Sequence, residues 1–338
     1  MRLSIIIPLY NSEKFLSRCL DSLLLHQDID PNDYEILIIN DGSTDNSLKL
    51  ATTYAKKYAN LLVYTQVNGG VGSARNKGIS LSKGEYIYFI DPDDYLASNV
   101  LLILLNTAKD NELEILTFKT KTTTDTNLFS SNSAAVDTQK LEVYNGIDYI
   151  ATHQYRNEVW WYIVKRSFIN KTNIKFIEGR WMEDAILTAQ LFLKANRMAN
   201  LALDAHRYIL VEGSAMTNKE PSHYLKVIDD NRNAAIIFES LLEDLITRNA
   251  NPNCVARLRA RQQSFVFFMM VRMLKSTIKF KEIKVIINEL AKTNAYPISA
   301  FIGEDYEGFS YALLTKIFNN KSLFYLTFNV CNPILKST

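Results

Sequence analysis

Cysteine is scarce in this chain, which has three cysteines among its 338 residues, at positions far apart in the sequence. Their odd number prevents complete pairing, and there is neither a CxxC motif nor a cysteine–histidine spacing suited to a metal. Structural disulfides belong mainly to oxidising compartments. We therefore expect the protein to work in a reducing, cytoplasmic compartment.

Long hydrophobic runs are missing as well. The apolar N-terminal stretch from Leu3 to Leu9 contains Pro8 and is followed by polar residues 11–13, so it is too short for a signal peptide or a membrane span. No other apolar run reaches the length that a membrane span requires. The sequence therefore predicts no segment that crosses a membrane.

A large excess of charge of either sign is also absent, since the formal net charge is +2. The two signs are nevertheless unevenly distributed. From Leu225 onwards the sequence has 15 Lys and Arg against 10 Asp and Glu, whereas the rest of the chain has 23 against 26. This asymmetry indicates a basic C-terminal region and argues against a nucleic-acid-binding protein.

Two common phosphate-binding signatures do not occur. There is no GxxxxGK[ST] motif, and the glycines that follow the third predicted strand do not match GxGxxG. A P-loop and a dinucleotide-binding fold are therefore disfavoured. Gly69 and Gly70 can instead let the backbone approach a ligand, with Arg75 placed for a phosphate or a carboxylate. A surface salt bridge is an equally good interpretation of Arg75.

An acidic stretch that follows an aromatic run is the feature around which the chain is organised. Residues 86–90 are aromatic and β-branched and are preceded by Gly84, which predicts a strand buried on both faces. Asp91, Asp93 and Asp94 follow directly, and like charges this close together repel one another. A bound divalent cation would relieve that repulsion, because carboxylate oxygens suit Mg²⁺ or Mn²⁺. The alternative is an Asx-Pro turn of solvated acids.

The order of predicted elements indicates an α/β fold. Helical patterns alternate with four buried strands, which are predicted at residues 3–7, 35–39, 61–66 and 86–90. Such alternation predicts a mainly parallel sheet, in which ligands bind beyond the carboxyl ends of the strands. Asp41, the Gly69–Gly70 turn and the acidic stretch would then share one rim.

Capping residues predict where the helices between these strands begin. Ser12 is predicted to cap the first helix. Ser43 or Thr44 is predicted to cap the second. A short third helix is predicted to follow Asn76 and to end at Leu81.

Four segments together resemble the inverting glycosyltransferases of family 2, in that family's order and spacing. They are Ile5–Asn11, Asn40–Asp45, Asn68–Gly70 with Ala74–Asn76, and Gly84–Asp94. The match is strong from Met1 to about Asn106. The resemblance implies a GT-A fold, in which helices flank a Rossmann-like, mainly parallel sheet. It also implies a nucleotide-sugar donor, usually a UDP-sugar, and a Mn²⁺ or Mg²⁺ cofactor.

The same resemblance implies roles for individual residues. Pro8, Tyr10 and Asp41 match positions that hold the base of the nucleotide. Asp91 and Asp93 match the DxD pair, which contacts the ribose and the metal–diphosphate, so that Asp93 with Asp91 would hold the metal. The whole set predicted to bind the nucleotide-sugar is Pro8, Tyr10, Asn11, Asp41, Gly69, Gly70, Arg75 and Asp91.

A second candidate site lies near residue 183. Glu183 and Asp184 are at the predicted start of a helix, where acidic side chains are favourable and need no further role. In the resemblance, Asp184 matches the catalytic base, with Glu183 beside it. Trp181 is predicted to form a floor for the acceptor sugar, and a tryptophan of the core or rim is the alternative. Asp94 is the other residue predicted to contact the acceptor.

Two further segments have mainly structural interpretations. Residues 159–166 predict a core strand, in preference to a sugar-stacking surface. Tyr208 and residues 213–214 resemble a later segment of the family, but Ile209 and Val211 lie where the family often has an arginine. His206 could support a metal site, although a lone histidine is more often packed in a core.

The chain is predicted to contain a GT-A domain at residues 1–220 and a helical region at 221–338. Within the domain, residues 1–106 would form the nucleotide-binding half and 107–220 the acceptor half. A basic tract from Arg248 to Lys284 lies beside an aromatic cluster at 265–270. A solvated basic face is the favoured interpretation of this tract. The alternative is docking onto anionic lipid at the inner face of the cell membrane, near a lipid-linked acceptor.

Together these features predict an inverting, metal-dependent transferase that moves a sugar from a nucleotide-sugar to a glycan or lipid-linked acceptor in polysaccharide biosynthesis. A sugar nucleotidyltransferase is the alternative enzyme, but it would normally have a glycine-rich basic loop where this chain has Leu9–Asn11. A binding module with a dead site is the non-enzymatic alternative. The intact acids, which are Asp41, Asp91, Asp93 and Asp184, argue against it.

Overall fold

The computed structural model describes residues 1–138, 141–210, 221–299, 301 and 308–335. The chain divides into two compact units. The first comprises Met1–Tyr149 and Tyr155–Glu212, and the second comprises Ile150–Gln154 and Gly213–Thr338. The predicted boundaries at residues 106 and 220 stay predictions.

The first unit is built on one sheet, whose eight strands all lie in the described residues. In chain order they are β1 (Leu3–Leu9), β2 (Tyr34–Asn40), β3 (Leu61–Thr65), β4 (Tyr86–Phe89), β5 (Tyr95–Leu96), β6 (Ile115–Thr123), β7 (Tyr162–Lys165) and β8 (Met198–Ile209). Their order across the sheet is β3-β2-β1-β4-β7-β6-β8-β5. The predicted α/β class and the four N-terminal strands are confirmed, with strand ends shifted by one or two residues.

The two sides of the sheet differ in strand direction. β3, β2, β1 and β4 run parallel to one another, as the alternation of strands and helices predicts. β7 is antiparallel to both β4 and β6, whereas β8 is parallel to β6 and antiparallel to β5. The prediction of a mainly parallel sheet therefore describes the N-terminal strands, and the later strands make the sheet mixed.

β1 and β4 lie in the interior of the sheet, and all their residues are buried and, apart from Ser4, apolar. The ladder between them ends at the pair Ile6–Phe89. The backbone of Pro8, like that of Ile6, faces β4, but proline has no N–H to donate. The ladder between β1 and β4 therefore cannot extend, although β1 continues to Leu9. The chain segments that follow β1 and β4 are therefore not held together by ladder bonds.

Helices connect and flank these strands. They are α1 (Leu16–Leu24), α2 (Ser47–Lys57), α3 (Val71–Leu81), α4 (Leu101–Asp110), α5 (Gly146–Thr152), α6 (Arg166–Thr172) and α7 (Glu183–Lys194). The predicted cap at Ser12 is wrong, because α1 begins at Leu16 and the Ser12 hydroxyl donates to the carbonyl oxygen of Tyr10 at 3.0 Å. The second helix also begins later than predicted, at Ser47, whose amide donates to the carboxylate of Asp45 at 3.0 Å.

The third helix begins earlier than predicted. α3 starts at Val71, directly after Gly70, whose φ of +86° lies in the left-handed region that favours glycine. Arg75 and Asn76 are therefore inside the helix and not in the loop before it. A rigid helical turn, instead of a flexible loop, sets the direction of both side chains.

The second unit is helical, as predicted. Its helices are α8 (Pro221–Thr247), α9 (Pro252–Lys275), α10 (Phe280–Leu290), α11 (Phe309–Asn319) and α12 (Lys321–Leu335). Phe265, Phe267, Met269 and Met270 of α9 are buried, so the aromatic cluster beside the basic tract belongs to the core and not to a surface. Among the described residues, no helix combines the length and apolarity needed to cross a bilayer.

Part of the basic tract is an internal ion pair centred on Glu239 of α8. The carboxylate of Glu239 is buried and accepts hydrogen bonds from Arg259 at 2.6 Å, from Gln262 at 2.7 Å and from Asn294 at 2.8 Å. Burial alone would raise the pKa of Glu239, but these three donors outweigh it and hold that pKa below its ordinary value. This carboxylate therefore joins α8, α9 and the segment after α10.

Candidate active site

The carboxyl ends of the four parallel strands carry the polar residues that the sequence singles out. Tyr10 follows β1, and Asp41 follows β2. Gly69 and Gly70 come after β3, and Asp91 opens the acidic stretch after β4. Because parallel strands direct their carboxyl ends to one edge of a sheet, these residues lie along the same rim.

Asp41 is buried and holds the glycine turn. Its Oδ1 accepts hydrogen bonds from the Gly69 amide and the Gln66 side chain, both at 2.9 Å, and its Oδ2 accepts from the Gly70 amide at 2.8 Å. A Cβ on Gly69 would lie 2.9 Å from Ser73 Oγ, so the turn has little room for a larger residue. A carboxylate has about four acceptor positions, which leaves one for a ligand N–H. The contact of Asp41 with a base stays a prediction.

The segment after β1 meets the segment after β2. Asn11 has a φ of +48°, and its Oδ1 accepts from the Thr44 amide at 2.8 Å. Its own amide donates to Ser43 Oγ at 3.2 Å. Pro8 is buried in β1, whereas the Tyr10 side chain is 50% exposed. Asn11 thus has a structural role here, and Tyr10 is open to a ligand.

Like charges crowd the acidic stretch after β4. Burial, together with the neighbouring carboxylates of Asp91 and Asp94, raises the pKa of Asp93 to about 7. Burial and the charge of Asp91 also hold the pKa of Asp94 well above its usual range. Arg18 lies nearby, but its Nη2 donates to the carbonyl oxygen of Asp93, at 2.6 Å, and not to a carboxylate. This stretch therefore favours a bound cation.

Asp94 is directed towards the neighbouring strand β8. Its side chain is 1% exposed, and its Oδ1 accepts from the Ile209 amide at 2.9 Å. Its Oδ2 lies 3.3 Å from Nε2 of His206, whose ring stacks on Trp160 with the ring centroids 4.6 Å apart. Burial lowers the pKa of His206 to about 3, so this histidine is neutral. These contacts argue against the predicted acceptor contact of Asp94 and place His206 in the core.

Arg75 joins the acidic stretch to the start of α7. Its guanidinium is buried, with Nη2 2.8 Å from Asp91 Oδ1 and Nη1 2.8 Å from Glu183 Oε1. Burial alone would lower the pKa of Arg75, but the two carboxylates outweigh it and hold that pKa above its ordinary value. Arg75 is therefore not part of an exposed salt bridge, and its guanidinium does not face outwards.

The chain before α7 is tied to α3. The Asn76 side chain donates to the carbonyl oxygen of Phe176 at 2.9 Å and accepts from the Phe176 amide at 3.0 Å. A Cβ on Gly72 would lie 2.7 Å from the carbonyl oxygen of Ile177, so glycine permits this close approach. These contacts hold the segment that leads to Glu183 against the helix that carries Arg75.

Asp184, the predicted base, is the second residue of α7. Its Oδ1 accepts from the Ala185 amide at 2.7 Å. Burial and the charge of Glu183 raise the pKa of Asp184, and Arg75 opposes them. Burial also raises the pKa of Glu183, again against the effect of Arg75. A carboxylate must be ionised to accept a proton, so the charge of Arg75, which opposes the rise, is the part of this environment that favours proton abstraction.

A comparison with protein families bears directly on this arrangement. The family model described as glycosyl transferase family 2 matches residues 4–177. This chain belongs to glycosyl transferase family 2. The resemblance based on four motifs is thereby confirmed, and the match includes Arg75 and the acidic stretch. Glu183 and Asp184 lie beyond the matched residues.

One relative and two solved structures give this family-2 chain a context. The poly(ribitol-phosphate) beta-glucosyltransferase of Bacillus spizizenii is 35% identical over 216 residues, which are 63% of this chain and 32% of that protein. The chain thus spans about a third of that relative's length. Staphylococcus aureus TarS 1–349 in complex with UDP-GlcNAc has a TM-score of 0.64 at 22% identity, over 97% of this chain and 91% of that chain. The mannosyltransferase PcManGT from Pyrobaculum calidifontis, in complex with GDP-Man and Mn²⁺, has a TM-score of 0.54 at 12% identity, over 98% and 87%.

These structural likenesses concern the fold. At such low identity they show a shared GT-A architecture, a mixed α/β sheet with flanking helices followed by a helical region. The predicted fold of this family-2 chain is therefore confirmed for both its sheet and its C-terminal helices.

A divalent cation fits the acidic stretch if it shares its coordination with a substrate. In the part of the chain that the structure describes, no group of three or more His, Cys, Asp and Glu side chains is arranged to hold a metal. Asp91 and Asp93 offer two hard carboxylates, and Mg²⁺ is commonly bound by one or two carboxylates together with substrate phosphates and water. Burial, and then the charges of Asp91 and Asp94, raise the pKa of Asp93, and a cation would offset the contribution of those charges.

Sequence reasoning missed several supporting side chains. Gln66 donates to Asp41, and Arg18 donates to the main chain at Asp93. Asn76 clamps the chain before α7, and its position inside the Ala74–Asn76 motif was an available signal. Arg18 lies on the polar part of an ordinary amphipathic helix, where no local pattern distinguishes it.

The aromatic residues of the later strands are structural. Trp160 and Trp161 are 3% exposed, and the strand β7 follows them, which confirms the predicted core strand. Tyr208 stacks on Trp160 with the ring centroids 5.5 Å apart. Trp181 is partly buried, and its contact with an acceptor stays a prediction. Val211 and residues 213–214 lie outside the described residues.

Proposed function

We propose that this chain is an inverting glycosyltransferase that moves a sugar from a nucleotide-sugar, with a UDP-sugar as the expected donor, to an acceptor hydroxyl. Family membership supports the transferase class. The observation that carries the finer proposal is the junction at Arg75, which connects Asp91 to Glu183, directly before Asp184. The buried guanidinium of Arg75 thereby lies between a donor-binding group, Asp91, and the candidate base.

The bond changes follow from this arrangement. The acceptor oxygen attacks the anomeric carbon on the face opposite the leaving nucleoside diphosphate, and this single displacement inverts that carbon. Asp184 takes the acceptor proton as the new C–O bond forms. Burial and the neighbouring Glu183 raise the pKa of Asp184, whereas the charge of Arg75 opposes that rise and favours the ionised form that can accept a proton. Tyr10 and Asp41 bind the nucleotide base.

Asp93, with Asp91, would hold Mg²⁺ or Mn²⁺. When it is bound, the cation stabilises negative charge on the diphosphate as the anomeric bond breaks. The ion pair with Arg75 uses Oδ1 of Asp91 and leaves Oδ2 for the donor or the cation. Manganese in the PcManGT complex supports a divalent ion of this kind.

The acceptor belongs to a cell-surface polymer in this proposal. The Bacillus spizizenii relative is named for poly(ribitol-phosphate), and the TarS complex contains UDP-GlcNAc. We carry over the classes of these molecules, a UDP-sugar donor and a glycan or lipid-linked acceptor. Peripheral attachment to the inner face of the cell membrane through the basic C-terminal helices is part of the same proposal, although the aromatic cluster of α9 does not contribute to it.

A donor screen tests the proposed reaction. The purified chain is incubated with a panel of nucleotide-sugars and Mn²⁺ or Mg²⁺, and released nucleoside diphosphate is measured. We expect release from a UDP-sugar that stops in EDTA. A nucleotidyltransferase would form pyrophosphate from a sugar phosphate and a nucleoside triphosphate, and a dead binding module would bind UDP without turnover. Equal calorimetric affinity for UDP with Mn²⁺ and in EDTA would contradict the metal role of Asp91 and Asp93.

A further inference from the structure

Arg75 occupies an unusual position for a residue of a nucleotide-sugar site. Its side chain is 5% exposed, and its two terminal nitrogens are each 2.8 Å from a carboxylate oxygen of a different element, Asp91 after β4 and Glu183 at the start of α7. The Phe176 ring lies beneath the guanidinium, 5.4 Å from its central carbon. The guanidinium is therefore enclosed on three sides by this chain's own groups.

This geometry differs from that of an arginine that binds phosphate. A phosphate-binding arginine presents its planar fork of nitrogens to the ligand. Both terminal nitrogens of Arg75 are engaged by carboxylates, and its Nε is buried without a hydrogen-bond partner among the described residues. A phosphate could reach this fork only by displacing Asp91 or Glu183, which would leave a carboxylate buried without its cation.

We propose that Arg75 is a positioning residue that couples the donor side of the site to the catalytic base. This inference rests on the function proposed above. Arg75 holds Glu183, the first residue of α7, and thereby fixes the helical turn from which Asp184 projects. Through its other nitrogen it fixes Asp91, so the separation between the donor-binding acids and the base is set by one rigid planar group.

The location of Arg75 on α3 strengthens this coupling. α3 follows the glycine turn that Asp41 holds, and Asn76, the next residue, is bonded twice to the main chain of Phe176. The helix therefore carries the guanidinium on a support that is held at its N-terminal end and at its middle. A tilt of α3 would change the donor side and the base side together.

The test compares the wild-type chain with Arg75→Lys, Arg75→Gln, Glu183→Gln and the Arg75→Gln/Glu183→Gln double variant. UDP release from the nucleotide-sugar used by the wild type gives kcat, and titration with UDP gives Kd. Lysine keeps the charge, but its single ammonium cannot reproduce the fork between two carboxylates. Since misplacement by about 1 Å can cost about 10²-fold, we expect Arg75→Lys to lower kcat about 10- to 100-fold, with a UDP Kd within about threefold of wild type.

The double variant distinguishes a coupling between Arg75 and Glu183 from independent losses of kcat at the two positions. Arg75→Gln alone leaves the Glu183 carboxylate buried without its cation, and removing that charge as well should recover about tenfold of the lost kcat, because contacting residues have non-additive effects. Arg207→Lys is the matched control. Arg207 is also fully buried and ion-paired, to Asp204 at 2.8 Å. In the described part of the chain, its hydrogen bonds to other residues go to the carbonyl oxygens of Leu128, Ser130 and His206, so kcat of the folded variant should be unchanged.

Three outcomes contradict the proposals, and they are distinct. A UDP Kd raised about tenfold or more in Arg75→Lys, with kcat unchanged, would assign Arg75 to the donor phosphates and overturn the inference. Losses that simply multiply in the double variant would overturn the coupling to Glu183. A wild-type chain that releases no nucleoside diphosphate from any nucleotide-sugar would instead overturn the proposed function, and the inference with it.

Discussion

Two buried carboxylate clusters, one in each unit, have opposite electrostatic characters. In the second unit, Glu239 accepts three hydrogen bonds from cationic or amide donors, and its pKa is lowered. In the first unit, Asp93, Asp94 and Asp184 lie among other carboxylates with few donors, and the pKa of each is raised. Burial opposes ionisation in both places, so the difference comes from the partners.

This difference separates a carboxylate that stabilises the fold from carboxylates that are kept for a ligand. A satisfied group such as Glu239 gains nothing from a further cation. Groups whose pKa is raised by burial and like charge gain from a bound cation or proton, and such groups concentrate at functional sites. The acidic stretch after β4 and the start of α7 have the surroundings expected of the proposed active site, whereas the Glu239 cluster has those of a structural ion pair.

The largest effect that this comparison predicts is on catalysis by Asp184. Asp184→Asn preserves shape and removes the ability to accept a proton, and loss of a general base typically lowers the rate about 10²–10⁴-fold. UDP affinity should remain close to wild type, because the predicted nucleotide contacts lie elsewhere. Single-turnover sugar transfer and calorimetric UDP titration measure the two quantities separately.

Controls define what Asp184→Asn reports. Asp93→Ala should lose UDP affinity as well as turnover, whereas Asp110→Asn, at an exposed position on α4, should change neither. Near wild-type transfer by Asp184→Asn would show that the base lies elsewhere. Loss of UDP affinity equal to that of Asp93→Ala would move Asp184 to the donor site.

The next largest effect is a dependence of cation binding on pH. The pKa of Asp93 is about 7 in the folded chain, above the ordinary value of an aspartate, so the native protein holds this proton more tightly than the unfolded chain. That contribution to stability is present at low pH and is lost as pH rises through 7. Because Mn²⁺ competes with the same proton, Mn²⁺-dependent UDP affinity should fall about tenfold per pH unit below about pH 7.

Calorimetry of UDP with Mn²⁺ between about pH 6 and about pH 8 measures this dependence. UDP titrated in EDTA over the same range is the control, and it should change little. An affinity that stays flat with Mn²⁺ present would mean that Asp93 is not the group that competes with the cation.

A smaller effect is expected on the stability of the second unit. Glu239→Gln turns an amide NH₂ towards one of the three donors and removes the counter-charge of Arg259. Together these changes should lower the free energy of unfolding by about 1–3 kcal/mol. Urea denaturation followed by far-UV circular dichroism measures this loss. Glu243→Gln, an exposed position on the same helix, is the control and should change stability by less than about 0.5 kcal/mol.

The smallest effect, of opposite sign, is predicted for Asp94→Asn. Because the folded pKa of Asp94 is raised, its charged form lowers stability as pH rises through that pKa. Asparagine keeps an acceptor for the Ile209 amide and adds a donor towards His206. The free energy of unfolding at about pH 8 should stay the same or rise by up to about 1 kcal/mol. A loss comparable to that of Glu239→Gln would mean that the two clusters do not differ as described.

Much of the parallel half of the fold could be predicted from the sequence. The four strands from β1 to β4 are short apolar runs, each followed by polar or glycine residues, and this pattern has few other solutions. Because the carboxyl ends of parallel strands lie at one edge of a sheet, the same pattern also predicts the rim that carries the polar residues. The sequence predicts Asp41, the Gly69–Gly70 turn and the acidic stretch on that rim, and in the structure they follow β2, β3 and β4.

What the sequence could not predict depends on long-range contacts. Arg75 has the same local surroundings whether its partner is a phosphate or two carboxylates, and the choice is made by Glu183, more than a hundred residues away in the chain. In the sequence, nothing distinguishes Asp94 from the other two aspartates of the acidic stretch. Its side chain nevertheless accepts a hydrogen bond from Ile209 of β8, which directs it away from the rim. The direction of β7 likewise depends on its partners in the sheet and has no signature in its own residues.

The paired hydrogen bonds between Asn76 and Phe176 also determine where the chain before α7 can bend. Residues up to Phe176 must travel with α3, and Glu183 is anchored at the other end. Gly179 and Met182, with φ angles of +70° and +65°, lie between these fixed points. The backbone of residues 177–182 therefore spans two anchored positions, and its left-handed turns at Gly179 and Met182 set the direction in which the chain enters α7.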